Sequence, residues 1–299
     1  MKVRVSYGTA MELDLENGSS KETPTTAYLM LPGDKCRGAC KFCPQAKGQA
    51  KWLSRVSWPE FEVEEVKERL QASNLNRICI QSPDIPDYEN KLTQLIEKLN
   101  DLDKPISLSA PPLDESTLKD LKDQIDRIGV GIDAATNSLR AEKKPSYEPM
   151  VFWDYLGNVV EILGEKRATA HIIVGMGEDM GDICTAVSRA LSAGADISLF
   201  PYKKEEEEVD ITYYRRAQLL TSLIKDGLDS KEALSLISED PEKALNRTNI
   251  RMIFQTQGCP DCNRPYYTTS PGTEHKNYPR EPDEDEIERI KSDILGEKE

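Results

Sequence analysis

At 299 residues the chain is long enough for one large domain or two smaller ones around a sizeable core. Its 39 Lys and Arg against 53 Asp and Glu leave a formal net charge of −14. That balance excludes a general binder of nucleic acid or of anionic membrane surfaces, since both would repel it. No run of about 18 apolar residues is present to span a bilayer, and MKVRVSYGTAMELDLE at the start lacks the apolar stretch of a secretory signal. Seven cysteines, an odd number, then read as thiols or metal ligands in a reducing cytoplasm and not as a disulfide framework.

In chain order, residues 1–24 form an N-terminal segment and TTAYLMLP (25–32) is the first predicted strand. PEFEVEEVKERLQA (59–72) reads as an amphipathic helix, with Pro59 in its first turn and glutamates early. LNRICIQS (75–82), PISLSAP (105–111), DRIGVGIDAAT (126–136), ATAHIIVGMGE (168–178) and ADISLFPY (195–202) are strand-like. Helical patterns follow at 87–101, 114–124, 151–166, 182–194 and 210–227. Six β-then-α units predict an α/β fold, a partial (βα)6 barrel of the TIM type over residues 25–227, where eight units would close the ring. KKEEEEVD (203–210) reads as a solvated charge run. Residues 228–299 form a small C-terminal extension with two cysteines in a loop and a final acidic helix.

GDKCRGACKFCPQ (33–45) holds Cys36, Cys40 and Cys43 in the spacing Cys-x3-Cys-x2-Cys, directly after the first predicted strand. In a parallel barrel that loop lies at the C-terminal face, where βα loops build active sites. Thiolates select zinc, copper(I) or iron–sulfur clusters. Three thiolates without a fourth suit a cubane cluster with one iron left for a substrate. A zinc ribbon pairing Cys40 and Cys43 with Cys259 and Cys262 competes by spacing but leaves Cys36 unexplained. An electron-carrying ferredoxin would bring a fourth cysteine close by.

The triad, with Phe42 before its last cysteine and the βα alternation behind it, resembles the signature of radical S-adenosylmethionine (SAM) enzymes. The resemblance implies a [4Fe–4S] cluster on Cys36, Cys40 and Cys43 with SAM chelated at its open iron. One electron, from a donor such as ferredoxin or flavodoxin, would then generate a radical that abstracts hydrogen from an unactivated C–H. It also implies cofactor contacts from Phe42 and at later strand ends. Asp84, in SPD after the second strand, stands where many relatives hold the methionine amine through a glycine–glycine–glutamate segment. Asp133 stands where the family binds the ribose hydroxyls, a task a carboxylate suits as an acceptor. Val174 and Gly175, in IVGMGE, stand where the family packs on adenine. His171 reads as a satisfied core residue sooner than a ligand, and alternation puts it on one strand face with Ile173 and Gly175, towards the lumen.

QGCPDCNRPYYTTSPGTEHKNYP (257–279) places Cys259 and Cys262 in a turn-rich loop that makes poor core material, so a metal role is expected there. Two thiolates do not complete a cubane. Cys79, Cys184, an oxygen donor or another chain stay open as partners. Cys79 resembles the position from which biotin synthases supply an auxiliary-cluster ligand, but their other auxiliary cysteines have no counterpart here. Cys184 reads as packing.

The C-terminal pattern, GCPDCNRPYY followed by NYP, resembles that of components of two-subunit lipoyl synthases. That resemblance implies sulfur insertion into an octanoyl chain on a carrier protein, an auxiliary [4Fe–4S] cluster as sulfur donor, and a paralogous radical SAM subunit. The alternatives are another biotin-synthase-like mutase or rearrangement enzyme, with zinc at Cys259 and Cys262, and a non-catalytic zinc- or cluster-binding protein. Release of 5′-deoxyadenosine under reduction separates enzyme from binding module.

Overall fold

The structure is a computed structural model that describes residues 1–49, 51–53, 55–204, 207–269 and 272–296. An eight-stranded sheet organises it. The strands are β1 (Lys2–Val5), β2 (Thr26–Met30), β3 (Glu60–Glu62), β4 (Arg77–Gln81), β5 (Ile106–Ser109), β6 (Arg127–Asp133), β7 (Ala168–Val174) and β8 (Asp196–Pro201). Their spatial order is β8-β7-β6-β5-β4-β2-β1-β3. The six strands from β2 through β8, β3 apart, pair in parallel. This is the expected partial (βα)6 barrel, and its axial cavity holds the candidate site.

The helices that cover it are α1 (Tyr7–Glu12), α2 (Val63–Ala72), α3 (Tyr88–Leu99), α4 (Glu115–Leu121), α5 (Asn137–Lys143), α6 (Val151–Leu163), α7 (Met180–Ser192) and α8 (Ile211–Lys225). Alternation along each strand decides which residues meet them. In β4, Ile78 and Ile80 are fully buried on the outer face, whereas Arg77, Cys79 and Gln81 face the lumen. In β7, Ala170, Ile172 and Val174 are fully buried, whereas His171 and Ile173 line the lumen. The outer strand residues pack with Leu92, Leu95 and Ile96 of α3 and Leu156 and Val159 of α6 in one continuous core. Each such side chain contributes about 1.5–3 kcal/mol of burial.

Two local readings change. Residues 59–62 are not the first turn of a helix: Glu60–Glu62 pairs with Lys2–Arg4, and α2 starts at Val63. The N-terminal strand β1 is what overrides the helical pattern there. It pairs antiparallel to both β2 and β3, and its Val3 and Val5 are fully buried. Of the charge run at 203–210, Glu205 and Glu206 lie outside the described residues, and Lys203–Lys204 pairs with Glu207–Glu208 in a short exposed hairpin.

Beyond α8 come α9 (Ser230–Glu239), α10 (Pro241–Leu245), α11 (Ile250–Ile253) and α12 (Glu284–Leu295). Helix α12 opens on a capping box of Asp283 and Glu286, which satisfies its first amide donors. Arg215 of α8 is fully buried, and its guanidinium donates to the carbonyls of His275 and Lys276, both at 2.7 Å, and faces Asp293 of α12 at 3.5 Å. Asn277 accepts from the Tyr214 hydroxyl at 2.8 Å and donates to Leu199 O at 3.1 Å. These contacts pin the segment after the second cysteine pair to the last strand and helix of the barrel. Among the described residues no helix is long and apolar enough to cross a membrane.

Candidate active site: two groups of thiols in one lumen

Strand β2 delivers the triad loop to the C-terminal end of the barrel. The loop is held chiefly by backbone. Cys36 N donates to Gln45 O at 3.3 Å, Cys43 N to Cys40 O at 3.1 Å, and Arg37 N to Asp84 O at 2.8 Å. A short 3-10 turn, Pro44–Lys47, ends on Gly48 at φ 77°, a left-handed conformation that favours glycine. Two amide N–H groups face the Cys36 sulfur, from Asp84 at 3.2 Å and Gly38 at 3.4 Å, an arrangement that stabilises a thiolate.

Cys36, Cys40 and Cys43 are half-buried and line one cavity of about 210 Å3, walled by the C-terminal ends of β4, β5 and β6. Burial pushes the Cys40 thiol up to about 12, with Lys144 pulling the other way. Burial also raises Cys43, against the backbone N–H groups of Gln45 and Ala46. The bare Cys40 and Cys43 thiols are therefore neutral at pH 7, and a bound cation is what would make them thiolates. Among the described residues no three His, Cys, Asp or Glu side chains converge as ligands of a single metal ion. Sulfurs placed around a cavity fit separate irons of one cluster better than one ion, so the donor set suits a cubane.

The other residues singled out from the sequence divide. Phe42 lines the triad cavity. Asp84 lines it too, but its carboxylate already accepts from Arg37 Nη2 at 2.6 Å and from the Tyr147 hydroxyl at 2.5 Å. Asp133 closes β6 at φ 61° and pairs with Lys144 Nζ at 2.7 Å. Burial works to raise its pKa, but Lys144, with Arg140 and His171, wins and holds the carboxyl below its usual range. Lys144 and Arg140 in turn lie over the Phe152 ring, 3.9 and 4.0 Å from its centre. Val174 and Gly175 line neither this cavity nor the larger one below it. Val174 is fully buried on the outer face, and Gly175, at φ 101°, leaves no room for a Cβ against Val209. The turn they open is stapled by Glu178, whose carboxylate accepts from the amides of Gly175 at 2.5 Å and Met176 at 2.9 Å.

His171 faces the lumen, as its alternation with Ile173 implies. It lines both cavities, edge-on to Phe200 at 5.2 Å, in space kept by Gly129, whose added Cβ would meet the ring at 2.3 Å. Burial, with Arg264 adding to it and Asp133 opposing, lowers its pKa to about 3, so the ring is neutral at pH 7.

The second pair, Cys259 and Cys262, lies at the opposite end. Its loop enters the lumen from the N-terminal ends of the strands and is held by their side chains. Arg77, first residue of β4, donates from Nε to Pro260 O at 3.1 Å while pairing with Asp126 at 2.5 Å. Arg127, first residue of β6, reaches Gly258 O at 3.3 Å, and Asn263 bridges Thr25 N at 3.0 Å and Thr23 O at 2.8 Å. Gly258 at φ 116° and Asp261 at φ 58° give the sharp turns the loop needs. The Tyr28 hydroxyl contacts Cys262 Sγ at 3.4 Å and accepts from Arg264 N at 2.8 Å. The Arg264 guanidinium donates to Ser198 Oγ at 2.7 Å and stacks 4.5 Å from the Phe200 ring. Cys184 is elsewhere, buried in α7 with its thiol on Ser230 O at 3.3 Å, a packing residue as expected.

One cavity of about 650 Å3 joins the two ends. Its wall includes Cys43 and Asp133 above and Cys79, Cys259 and Cys262 below. Sequence reasoning missed Lys144, Tyr28 and Arg77, of which only Arg77 carried a signal, a charged residue starting an otherwise apolar strand; Arg264 is visible just behind the second cysteine pair, but its contacts are not.

The profile of the Radical SAM superfamily matches residues 30–190. Lipoyl synthase of Porphyromonas gingivalis is 26% identical over 181 residues, 58% of this chain and 62% of that protein. Lipoyl synthase of Francisella philomiragia is 27% identical over 184 residues, 58% of this chain and 54% of that protein. The match thus spans little more than half the length of these curated relatives. Among solved structures, that of TYW1 with a lysine–pyruvate adduct bound superposes at a TM-score of 0.45 and 12% identity, covering 74% of this chain and 82% of that one. The family match covers more than half of the chain, which therefore belongs to the radical SAM superfamily and is similar to lipoyl synthases.

Proposed function

We propose that this chain inserts sulfur at an unactivated C–H, as a lipoyl-synthase-like enzyme acting on an octanoyl chain carried by a protein lysine in the cytoplasm, with a paralogous radical SAM subunit. The observation that carries the reading is the single lumen walled at one end by Cys43 of the triad and at the other by Cys259 and Cys262. Sulfur insertion needs a hydrogen-abstracting centre and a sulfur source within reach of the same carbon. The name shared by the similar curated proteins points the same way.

Cys36, Cys40 and Cys43 would hold the first cluster, which with SAM supplies hydrogen abstraction under reduction by a ferredoxin or flavodoxin. Cys259 and Cys262 would hold a second, auxiliary cluster. The chain's own residues then do the rest. The two amides on Cys36 steady its negative charge. Phe42 and Tyr147 line the upper cavity, and Asp133, kept ionised by Lys144, offers an acceptor for a sugar hydroxyl. His171, neutral at its depressed pKa, divides the two cavities without carrying a charge into the path of an alkyl chain. The wall between the sites is mixed, with Ile173, Phe200 and Leu53 beside Gln81 and Ser109, enough apolar surface to seat an acyl chain.

The test is anaerobic turnover of the reconstituted protein with SAM, a reductant and an octanoyl-lysyl carrier domain, with and without the paralogous subunit. Expected are 5′-deoxyadenosine and a carrier whose mass shows sulfur in place of hydrogen. Release of 5′-deoxyadenosine with an unchanged carrier under both conditions contradicts the reading.

A further inference from the structure

The geometry points to a docking lip for an acidic protein segment: residues 35–55, at the open seam of the barrel, receive the carrier through carboxylates that flank its acylated lysine. The inference rests on the sulfur-insertion reading above and deepens it by naming how the carrier is selected.

The chain carries 53 Asp and Glu against 39 Lys and Arg, yet residues 35–55 contain Lys35, Arg37, Lys41, Lys47, Lys51 and Arg55 and no acidic residue. Of these, Lys35, Lys41, Lys47 and Lys51 are exposed, and Arg37 is tied to Asp84 at 2.6 Å. A cationic run on an otherwise acidic molecule is a local field of the opposite sign. Such a field steers a complementary partner to one place and repels it elsewhere.

The fold sets this run at the entrance of the lumen. The parallel strands end on β2 and on β8, which do not pair with each other, so the barrel is open along a seam between them. The segment after β2 lies on one side of it. Lys47 ends the turn behind the triad, Trp52–Leu53 pairs with Val56–Ser57, and Arg55 stands in the turn between those two short strands. Lys203 and Lys204, directly after β8, lie on the other side. Lys47, Arg55, Lys203 and Lys204 all wall the cavity of about 650 Å3. Among the described residues of that wall Asp133 is the only carboxylate, and Lys144 already pairs with it at 2.7 Å. Glu207 and Glu208 are outside the wall, and Glu208 is shared between Lys203 and Lys276.

The occupant follows from what these cations can meet. An octanoyl-lysyl amide is uncharged, so they have no partner on the acyl group itself and must face the chain that brings it. Lys47 and Arg55 wall the larger cavity and not the triad cavity, which puts them on the path of the substrate and not on that of the reductant. A nucleic acid is also anionic, but a long polyanion would be repelled by the net charge of −14, whereas a short acidic segment meets the lip alone. Trp52 supplies an anchor. Trp58 and Trp153 are buried, whereas Trp52 is 48% exposed beside Lys51, and tryptophan and arginine dominate the energy of protein interfaces.

The full chain, reconstituted anaerobically, is titrated with fluorescent octanoyl-lysyl peptides of one length, flanked by glutamates, by serines or by lysines, with anisotropy as the readout. The glutamate peptide is expected to bind at least about tenfold tighter than the serine peptide, a gap that closes as salt rises from about 50 to about 300 mM. Lys47→Glu with Lys204→Glu is expected to weaken the glutamate peptide about tenfold and to strengthen the lysine peptide about as much. Unchanged affinity of that variant for the serine peptide shows that it folds. Equal affinity of the native chain for all three peptides overturns the docking lip and leaves the sulfur-insertion reading standing. Displacement of the glutamate peptide by single-stranded RNA of matched charge also overturns it, because the lip would then be a nucleic-acid site. Equal binding of the glutamate peptide with and without its octanoyl group leaves the lip standing and contradicts the octanoyl reading.

Discussion

The upper end of the lumen holds its cysteines on a loop braced by its own amides, from Cys36 N on Gln45 O to Cys43 N on Cys40 O. The lower end holds Cys259 and Cys262 on a loop braced by strand side chains, above all Arg77 on Pro260 O and Arg127 on Gly258 O. The upper loop sets its own turns and is tied to the end of the neighbouring strand β4 by backbone, Arg37 N on Asp84 O. The lower loop depends on a partly assembled barrel, because its clamps are the first residues of two separate strands. Disturbing the barrel floor should therefore empty the lower end first, and changes in the triad loop should leave the lower end intact.

The largest break is Cys36/Cys40/Cys43→Ala. It is expected to reduce SAM cleavage to background, by on the order of a thousandfold or more, while the lower site keeps its cluster. Next is Cys259/Cys262→Ala, expected to abolish sulfur transfer to the carrier while 5′-deoxyadenosine still forms. Liquid chromatography of the nucleoside beside mass spectrometry of the carrier reads both in one reaction. Equal loss of both products would mean that the two ends are not separate.

Arg77→Met sharpens the comparison without removing a ligand. It leaves Asp126 unpaired and Pro260 O without its donor. Because the Asp126 side chain is 40% exposed, the cost is expected near the lower end for a broken buried pair, about 1–3 kcal/mol by urea denaturation. Lower-site iron should fall several-fold and upper-site iron should not.

The smallest effect is one of pH. His171 is neutral in the folded chain down to about pH 3 and has a reference value of 6.5 unfolded. The unfolded chain therefore binds the extra proton between those limits. The contribution of His171 to stability is full above pH 6.5 and is lost as pH falls towards 3, by at most about 1.4 kcal/mol per unit. His171→Gln in the metal-free protein should flatten the denaturation midpoint against pH over that window, and an unchanged slope would place the acid sensitivity elsewhere.

The two ends also differ in how they could be read from the sequence. The triad is legible because its three sulfurs come from eight consecutive residues on a loop that a strand pattern places at the barrel mouth. The barrel is legible for the same local reason, since RICIQ and ATAHIIV state which face is buried before any partner strand is known. The lower end is not, because Cys79 and the Cys259–Cys262 loop come to line one cavity only through strand register and the path of the C-terminal extension. Pairing also decides the local misreadings: EFE before α2 turns into a strand only because KVRV at the N-terminus offers it an edge. Asp133 was visible as a strand-end carboxylate, but its partner Lys144 lies beyond a helix that the sequence pattern did not mark.

The central claim is two clusters at opposite ends of one lumen. It is tested most directly by anaerobic iron and sulfide content of three proteins, the native chain, Cys36/Cys40/Cys43→Ala and Cys259/Cys262→Ala. The account predicts about eight irons for the first and about four for each of the others. About four irons in the native chain, falling to about zero in the triad variant and unchanged in the pair variant, would contradict it.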